Sequence, residues 1–390
     1  MSRNKTPIHG WVQNDYNRLN PGMCYSKLTS RMRVQLHHEG VSSVFWEEVR
    51  FPKMDWKKKW TWMEKEVVLF FIFALINCAE LPAAPERMQI GEVPSPSYAG
   101  FSEINFSKRH FILVGDTQST SHWEFWRERN DRERKQIIDE ITRREPAFVV
   151  HLGDLTTRGS SKRHWQQFDD FHRRIREKTI PYFPILGNHE FYGNDERALD
   201  CFFARFPHLE KKRWYSFIWK NVGLILLDSN FPTLTQEQIE KQAEWVLGEL
   251  ARLERDERID TIIVCCHEPP FTNSRVVGPN ESSKRYFADP FLRFSKTSLF
   301  FSGHSHTYER FQRDGKFFIV SGGGGGPRHK VKRDPQKCLY QDLFAGPELR
   351  FFHFCEIEID KRGLAYRVVR LESNETFAIV DPLYLTNPKK

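Results

Sequence analysis

A chain of 390 residues, 39% hydrophobic and 14% aromatic, has the composition of one large soluble domain with a substantial core. Its formal net charge of +8 invites a nucleic-acid reading, but residues 1–78 carry 12 Lys and Arg against 7 Asp and Glu (+5), and residues 79–390 carry 47 against 44 (+3). The larger part therefore has no concentrated basic charge, and no specific nucleic-acid partner is expected.

In chain order, residues 1–53 are expected to be disordered or to precede the true start, with Met54 or Met63 as the initiator. Residues 54–78 read as a signal-peptide-like segment. Lys57, Lys58 and Lys59 precede the apolar run Val67 to Ile76, which is too short for a transmembrane helix but fits the hydrophobic region of a secretory signal. The run ends at Asn77 and Cys78. Leu75-Ile76-Asn77-Cys78 resembles a bacterial lipoprotein signal-peptidase box, with Asn77 in place of the usual small residue. Acylation of Cys78 would leave an exported, membrane-tethered or periplasmic protein; the bland alternative is a buried strand or short helix in a cytoplasmic one. A Pro-rich linker over 79–105 follows, then a domain over 106–390.

That domain opens a series of short apolar runs, each stopping at a polar residue: FILVGD to Asp116, FVVHLGD to Asp154, YFPILGN to Asn188, TIIVCCH to His267 and LFFSGH to His304. They read as strands. Charged segments with helical period lie between several of them, at Arg132 to Arg144, Lys162 to Lys178 and Thr235 to Arg255. Strand and helix alternation predicts a largely parallel, helix-covered sheet, and such sheets bind ligands beyond the carboxyl ends of their strands. Near the C-terminus, FFHFCEIEID, Lys361-Arg362-Gly363 and LAYRVVRLE predict a β-hairpin.

Asp116, Gln118, Asp154, Asn188, His267, His304 and His306 offer carboxylate, amide and imidazole donors, a set suited to zinc, manganese or iron. Two cations roughly 3.5–4 Å apart need a bridging carboxylate, and Asp154 is the natural one. Singly, each aspartate reads more simply as a helix cap or turn residue, and each histidine as a satisfied strand-end or turn residue. The ordered set favours the metal.

Together GDTQ, GDLTTRG, GNHE, CHEPP and GHSHTYER resemble the signature blocks of the calcineurin-like metallophosphoesterase superfamily, in that family's order. GNHE followed by Phe-Tyr-Gly, His-Glu-Pro-Pro, and GHSH followed by Thr-Tyr-Glu-Arg are most similar to its purple acid phosphatase branch, as is the stretch Arg213 to Asn230. The resemblance runs from about His110 to the C-terminus. It implies an α/β fold, a four-layer αββα sandwich of two mixed β-sheets. It also implies two metal ions, divalent or mixed-valence Fe, Mn or Zn. The first would be held by Asp116, Gln118, Asp154 and His306, the second by Asp154, Asn188, His267 and His304. His189 matches the outer-shell histidine that contacts phosphate and assists the leaving group.

Two positions depart from the family pattern. Gln118 stands where most members have histidine, which weakens the first site without removing a donor. Thr157 stands where purple acid phosphatases carry their iron-binding tyrosine, so a colourless protein is expected. Arg158 matches a phosphate-contacting arginine of the protein phosphatase branch, or is a solvated loop residue. His151 and His164 have no family counterpart and read as structural or surface residues. The glycine run Gly322 to Gly326 lacks the lysine and spacing of a P-loop and reads as a turn near the site. In an exported domain, Cys201, Cys338 and Cys355 would be candidates for a disulfide.

The function implied is hydrolysis of a phosphomonoester substrate by metal-activated hydroxide, with His189 and Asp154 central. The alternatives are a phosphodiesterase of cyclic-nucleotide or nuclease type on the same metal core, and a catalytically weak, metal-stabilised surface binding protein, which the Gln118 departure motivates. Ser119 to Arg129 and Thr272 to Tyr286 are the loops expected to wall the pocket.

Overall fold

The computed structural model of the chain describes residues 31–38, 41–48, 95–121, 124–360 and 363–386. Two compact units are distinguished, Met1–Gly91 and Glu92–Lys390. In the first, β1 (Arg31–His38) and β2 (Val41–Glu48) pair antiparallel. The apolar run at Val67 to Ile76 and Cys78 lie outside the described residues. No helix among the described residues is long and apolar enough to cross a membrane.

The second unit contains two six-stranded sheets. One is built from β3 (His110–Val114), β4 (Val149–His151), β5 (Tyr182–Pro184), β12 (His353–Ile359), β13 (Gly363–Leu371) and β14 (Phe377–Thr386), in the order β14-β13-β12-β3-β4-β5. The other contains β6 (Tyr215–Trp219), β7 (Val222–Leu226), β8 (Thr261–Cys266), β9 (Thr297–Ser302), β10 (Tyr308–Arg313) and β11 (Lys316–Ser321), in the order β10-β11-β9-β8-β7-β6. Both are mixed. β3, β4 and β5 run parallel while β12 is antiparallel to β3, and β7, β8, β9 and β11 run parallel with β6 and β10 as antiparallel edges.

The two-residue period of a strand explains how four layers arise from near-continuous apolar runs. On the second sheet, Leu224, Ile263, Cys265, Leu299, Phe301 and Ile319 enter the main core with residues of the first sheet. Their neighbours Ile225, Ile262, Val264, Cys266, Phe300 and Phe318 pack on the other face with Val246, Leu250 and Leu253 of the helix Gln236–Arg255. Phe111 and Phe148 of the first sheet meet Trp219 of the second edge-on, at 5.6 and 5.4 Å between ring centroids. The first sheet's helices, Asp131–Arg144 and Lys162–Phe171, contribute Ile137, Ile141, Trp165 and Phe168. The four-layer αββα arrangement expected from the sequence is present.

Helix ends follow local chemistry. Thr235 and Gln238 form a reciprocal capping box, Gln238 N–H donating to Thr235 Oγ1 at 3.2 Å and Thr235 N–H to Gln238 Oε1 at 2.9 Å, which starts the helix one residue after the sequence places it. The helix expected over Lys162 to Lys178 is two, Lys162–Phe171 and Arg173–Glu177, broken at His172. There φ is −94° and ψ is 9°, and the buried ring's Nδ1 bonds Phe168 O at 2.9 Å. The C-terminal hairpin pairs His353 with Arg370 as its sequence suggests, and β14 adds a further strand. A second hairpin, β10–β11, turns at Asp314 and Gly315, both at positive φ. Asp-Gly is its sequence signal.

The stretch read as linker joins the body before its expected end. Tyr98 is buried in the main core, its N–H donating to Arg205 O at 2.9 Å. Cys201, Cys265, Cys266, Cys338 and Cys355 are all free, so no disulfide links Cys201, Cys338 and Cys355; Cys355 is buried beside Ser321 Oγ and Tyr366 OH, at 3.2 and 3.5 Å.

Candidate metal centre

Each candidate ligand sits just beyond a strand end. Asp116 follows β3, Asp154 follows β4 and Asn188 follows β5 in the first sheet; His267 follows β8, and His304 and His306 follow β9 in the second. Three of them, Asp116 (φ 61°), Asp154 (φ 58°) and His304 (φ 64°), occupy the left-handed region. Non-glycine residues held there carry strain that gathers at functional sites. The preceding glycines let the strand ends approach this closely. A Cβ on Gly187 would lie 2.3 Å from Asp154 Oδ1, and one on Gly153 would lie 2.5 Å from His267 Nδ1.

The donors converge into two groups that share one carboxylate. Donor atoms of Asp116, Asp154 and His306 lie within 4.8 Å of one another, and so do those of Asp154, His267 and His304. Asp154 Oδ1 is 3.3 Å from His267 Nε2, and Asp116 Oδ1 is 3.4 Å from His306 Nε2. Asn188 Oδ1 joins the second group, 3.1 Å from His267 Nε2. Gln118 joins the first, its Nε2 lying 3.1 Å from Asp154 Oδ2 and 3.0 Å from His306 Nε2. Its Oε1 is buried without a partner, so half a turn of the amide would give a cation an oxygen and end that deficit.

Neighbouring groups orient the imidazoles. His267 Nδ1 bonds Leu152 O and His306 Nδ1 bonds Pro327 O, both at 2.7 Å. A carbonyl takes the Nδ1 proton, which leaves Nε2 as the donor atom facing the site. His189 follows the same rule: Nδ1 bonds Thr157 O at 2.9 Å, while Nε2 lies 3.9 Å from Asp154 Oδ2. Its side chain is 21% exposed, so it stands where the centre opens to solvent.

Electrostatics suit a cation. Burial opposes charge on Asp154, but the imidazoles of His267 and His189 outweigh it and hold the carboxyl well below the usual carboxylate range. Burial lowers His267, and the Asp154 carboxylate more than offsets this, raising the imidazole to about 10. Burial and the neighbouring His267 push His304 down to about 3. The Asp154 carboxylate thus favours positive charge at His267, and a metal bound there would compete with that proton.

Glu190 is the main residue the sequence reading passed over, although it completes the GNHE block. Fully buried, its carboxylate accepts from the backbone N–H of Asp154, Leu155, Thr156 and Gly187 at 2.7 to 3.2 Å. It thereby ties the loop after β4 to the loop after β5. Burial, with the nearby Asp154, raises it to about 8. Asp228 and Asn230 brace the same region. Arg213 Nε donates to Asp228 Oδ2 at 2.5 Å, and Asn230 Nδ2 donates to Leu186 O at 2.9 Å.

The remaining candidates divide. Thr157 is occupied locally, its hydroxyl donating to Ser119 O at 2.7 Å. Arg158 is exposed, its Nε beside Gly193. His151 is buried, its Nε2 3.0 Å from Thr117 Oγ1, and is structural as expected. The glycine run packs under the centre: Gly326 N–H donates to Asp116 O at 2.8 Å, and a Cβ on Gly322 would fall 2.3 Å from Ser305 O. In the loop Ser119 to Arg129, Phe125 and Trp126 are 79% and 70% exposed.

Comparison with known proteins gives consistent results. The family model described as calcineurin-like phosphoesterase matches residues 109–308. Purple acid phosphatase 21 of Arabidopsis thaliana is 26% identical over 237 residues, covering 55% of this chain and 53% of the relative. Purple acid phosphatase 1 of Ipomoea batatas is 26% identical over 178 residues, covering 42% and 37%. The chain thus spans about half the length, or less, of these curated relatives. Among solved structures, the purple acid phosphatase PPD1 from yellow lupin (Lupinus luteus) seeds superposes with a TM-score of 0.54 at 19% identity, over 75% of this chain and 55% of that one. GAP50 of Plasmodium, an anchor in the inner membrane complex, superposes with a TM-score of 0.53 at 19% identity, over 73% and 90%. Both structural likenesses concern the fold.

Proposed function

Because this chain belongs to the calcineurin-like phosphoesterase family, we propose that it hydrolyses phosphomonoesters at a two-metal centre. Asp116, Gln118, Asp154 and His306 would hold one metal, and Asp154, Asn188, His267 and His304 the other. The observation that carries this reading is the pair of donor groups sharing Asp154. Metals held there would acidify a water and neutralise charge on the phosphoryl group during in-line displacement.

The protein's own part is positional. Asp154 is aimed by the backbone N–H of His189, which donates to its Oδ1 at 2.9 Å, and by the loop that Glu190 ties down. His267 and His306 are fixed by carbonyls before any ligand arrives, so little reorganisation is needed. His189, tethered through Nδ1 to Thr157 O, presents Nε2 at the open side, where it can give a proton to the departing oxygen. No phenolate stands at position 157, so no visible charge-transfer band is expected.

The test is metal analysis by mass spectrometry on the full chain, paired with hydrolysis of a chromogenic phosphomonoester and its diester analogue under added zinc, manganese or iron. We expect near two metals per chain, no colour, and turnover of the monoester. Diester turnover alone would replace the reading with a phosphodiesterase. Two metals without any turnover would replace it with a binding protein, and a chain that takes up no metal would overturn it.

A further inference from the structure

The loop after Gln118 and the turn after the glycine run meet beside His306. Arg328 clamps them together, its backbone N–H and its guanidinium donating to the Glu128 carboxylate at 2.8 to 3.1 Å. Asn130 Nδ2 adds a bond to Gly326 O at 3.2 Å. In this junction His329 is 4% exposed and stacks on His306, with ring centroids 4.3 Å apart and 15° between planes.

The tautomer of His329 follows from the backbone. His306 N–H donates to His329 Nδ1 at 3.2 Å. A buried backbone donor without an acceptor is costly, so Nδ1 must accept and the ring proton resides on Nε2. That Nε2–H faces Arg127 Nη2, 3.4 Å away, and a guanidinium offers donors only. Two donors therefore meet with no acceptor between them. Arg127 Nη1 donates to Glu124 Oε1 at 2.8 Å, which braces the guanidinium, and the Arg127 side chain is 27% exposed, so solvent reaches the pair from the arginine side.

We propose that Arg127 and His329 form an anion subsite beside the metal centre, which receives a second phosphate or carboxylate group carried by the leaving group of the ester. That the anion belongs to a leaving group rests on the hydrolase reading; that an anion binds does not. His329 lies over the face of the His306 ring, whose Nε2 edge meets the other donors, so the subsite stands to one side of the centre and suits a group a few bonds from phosphorus rather than the phosphoryl group under attack. A guanidinium with a neighbouring neutral N–H can make charge-assisted bonds to either oxyanion.

Non-hydrolysable probes separate this subsite from turnover. The metal-loaded full chain would be titrated by calorimetry with methylphosphonate, with phosphonoacetate and with methylenediphosphonate. We expect one or both of the latter to bind at least about tenfold more tightly, and Arg127→Ala to remove that advantage, the effect of about one charged hydrogen bond. Arg127→Lys should restore part of it. His329→Phe, which keeps a ring against His306 and deletes the donor, should reduce it in the same direction, with metal content measured in every variant. An Arg127-dependent advantage for phosphonoacetate alone would identify a carboxylate, and for methylenediphosphonate alone a phosphate. An advantage that is absent, or that persists in Arg127→Ala at unchanged metal content, would overturn the subsite. A subsite confirmed in a protein that hydrolyses no ester would leave it standing and remove the hydrolase reading instead.

Discussion

In the proposed first metal site Gln118 would donate through an amide, beside the carboxylates of Asp116 and Asp154 and the imidazole of His306. Its nitrogen faces Asp154 and His306, while its oxygen lies buried without a partner. Gln118→His is expected to preserve or tighten the first metal, measured as metal retained through dialysis against a weak chelator; loss of metal would show that residue 118 is not a ligand. Asp154 and His189 should separate binding from chemistry. Asp154→Asn removes the carboxylate common to both donor groups, so metal content and activity should collapse together. His189→Ala leaves every candidate donor in place and should keep both metals while lowering turnover by roughly 10²–10⁴, the usual contribution of a general acid. Full activity of His189→Ala on an ester with a poor leaving group would refute its role.

At the scale of elements, His172 shows how a side chain interrupts a helix that periodicity predicts as continuous. The ring is fully buried, stacked on Phe168 at 4.0 Å between centroids, and burial pushes it down to about 3. Unfolded, the same imidazole takes up its proton near pH 6.5. Between these values the unfolded chain binds more protons than the folded one, so His172 contributes stability above pH 6.5 that is lost progressively as the pH falls towards 3. The full loss is on the order of 4–5 kcal/mol. His172→Phe fills the site with a ring that does not titrate, and acid unfolding followed by circular dichroism should move to lower pH. An unchanged midpoint would mean that other groups govern acid unfolding.

At the scale of the molecule, the centre draws its donors from both sheets: Asp116, Gln118, Asp154 and Asn188 from loops of one, His267, His304 and His306 from loops of the other. A cation bound there would favour the folded state by mass action, about 2.7 kcal/mol per site at one hundred times the dissociation constant. Removal of metal by a chelator should therefore lower the melting temperature by several degrees, and re-addition should restore it in a concentration-dependent way. A melting temperature indifferent to metal would exclude a cation joining the two sheets.

The sequence by itself determined the order of strand, turn and candidate ligand, because a short apolar run and the glycine that precedes four of the five polar stops are local properties. From them a strand-and-helix alternation and the seven candidate donors could be read, although the donors span positions 116 to 306; the two mixed sheets followed from the family resemblance. Only the tertiary structure decided what those residues do to one another. It tied Glu190 to four backbone N–H groups on two separate loops, bound the Thr157 hydroxyl to Ser119 O and left Arg158 exposed. It also broke a helix at His172, and brought Arg127 to His329, 202 positions apart. The physical reason is range: a strand's period is set by its neighbours along the chain, whereas a hydrogen bond's partner, an imidazole's tautomer and a carboxyl's charge are set by atoms that only folding brings within a few ångströms.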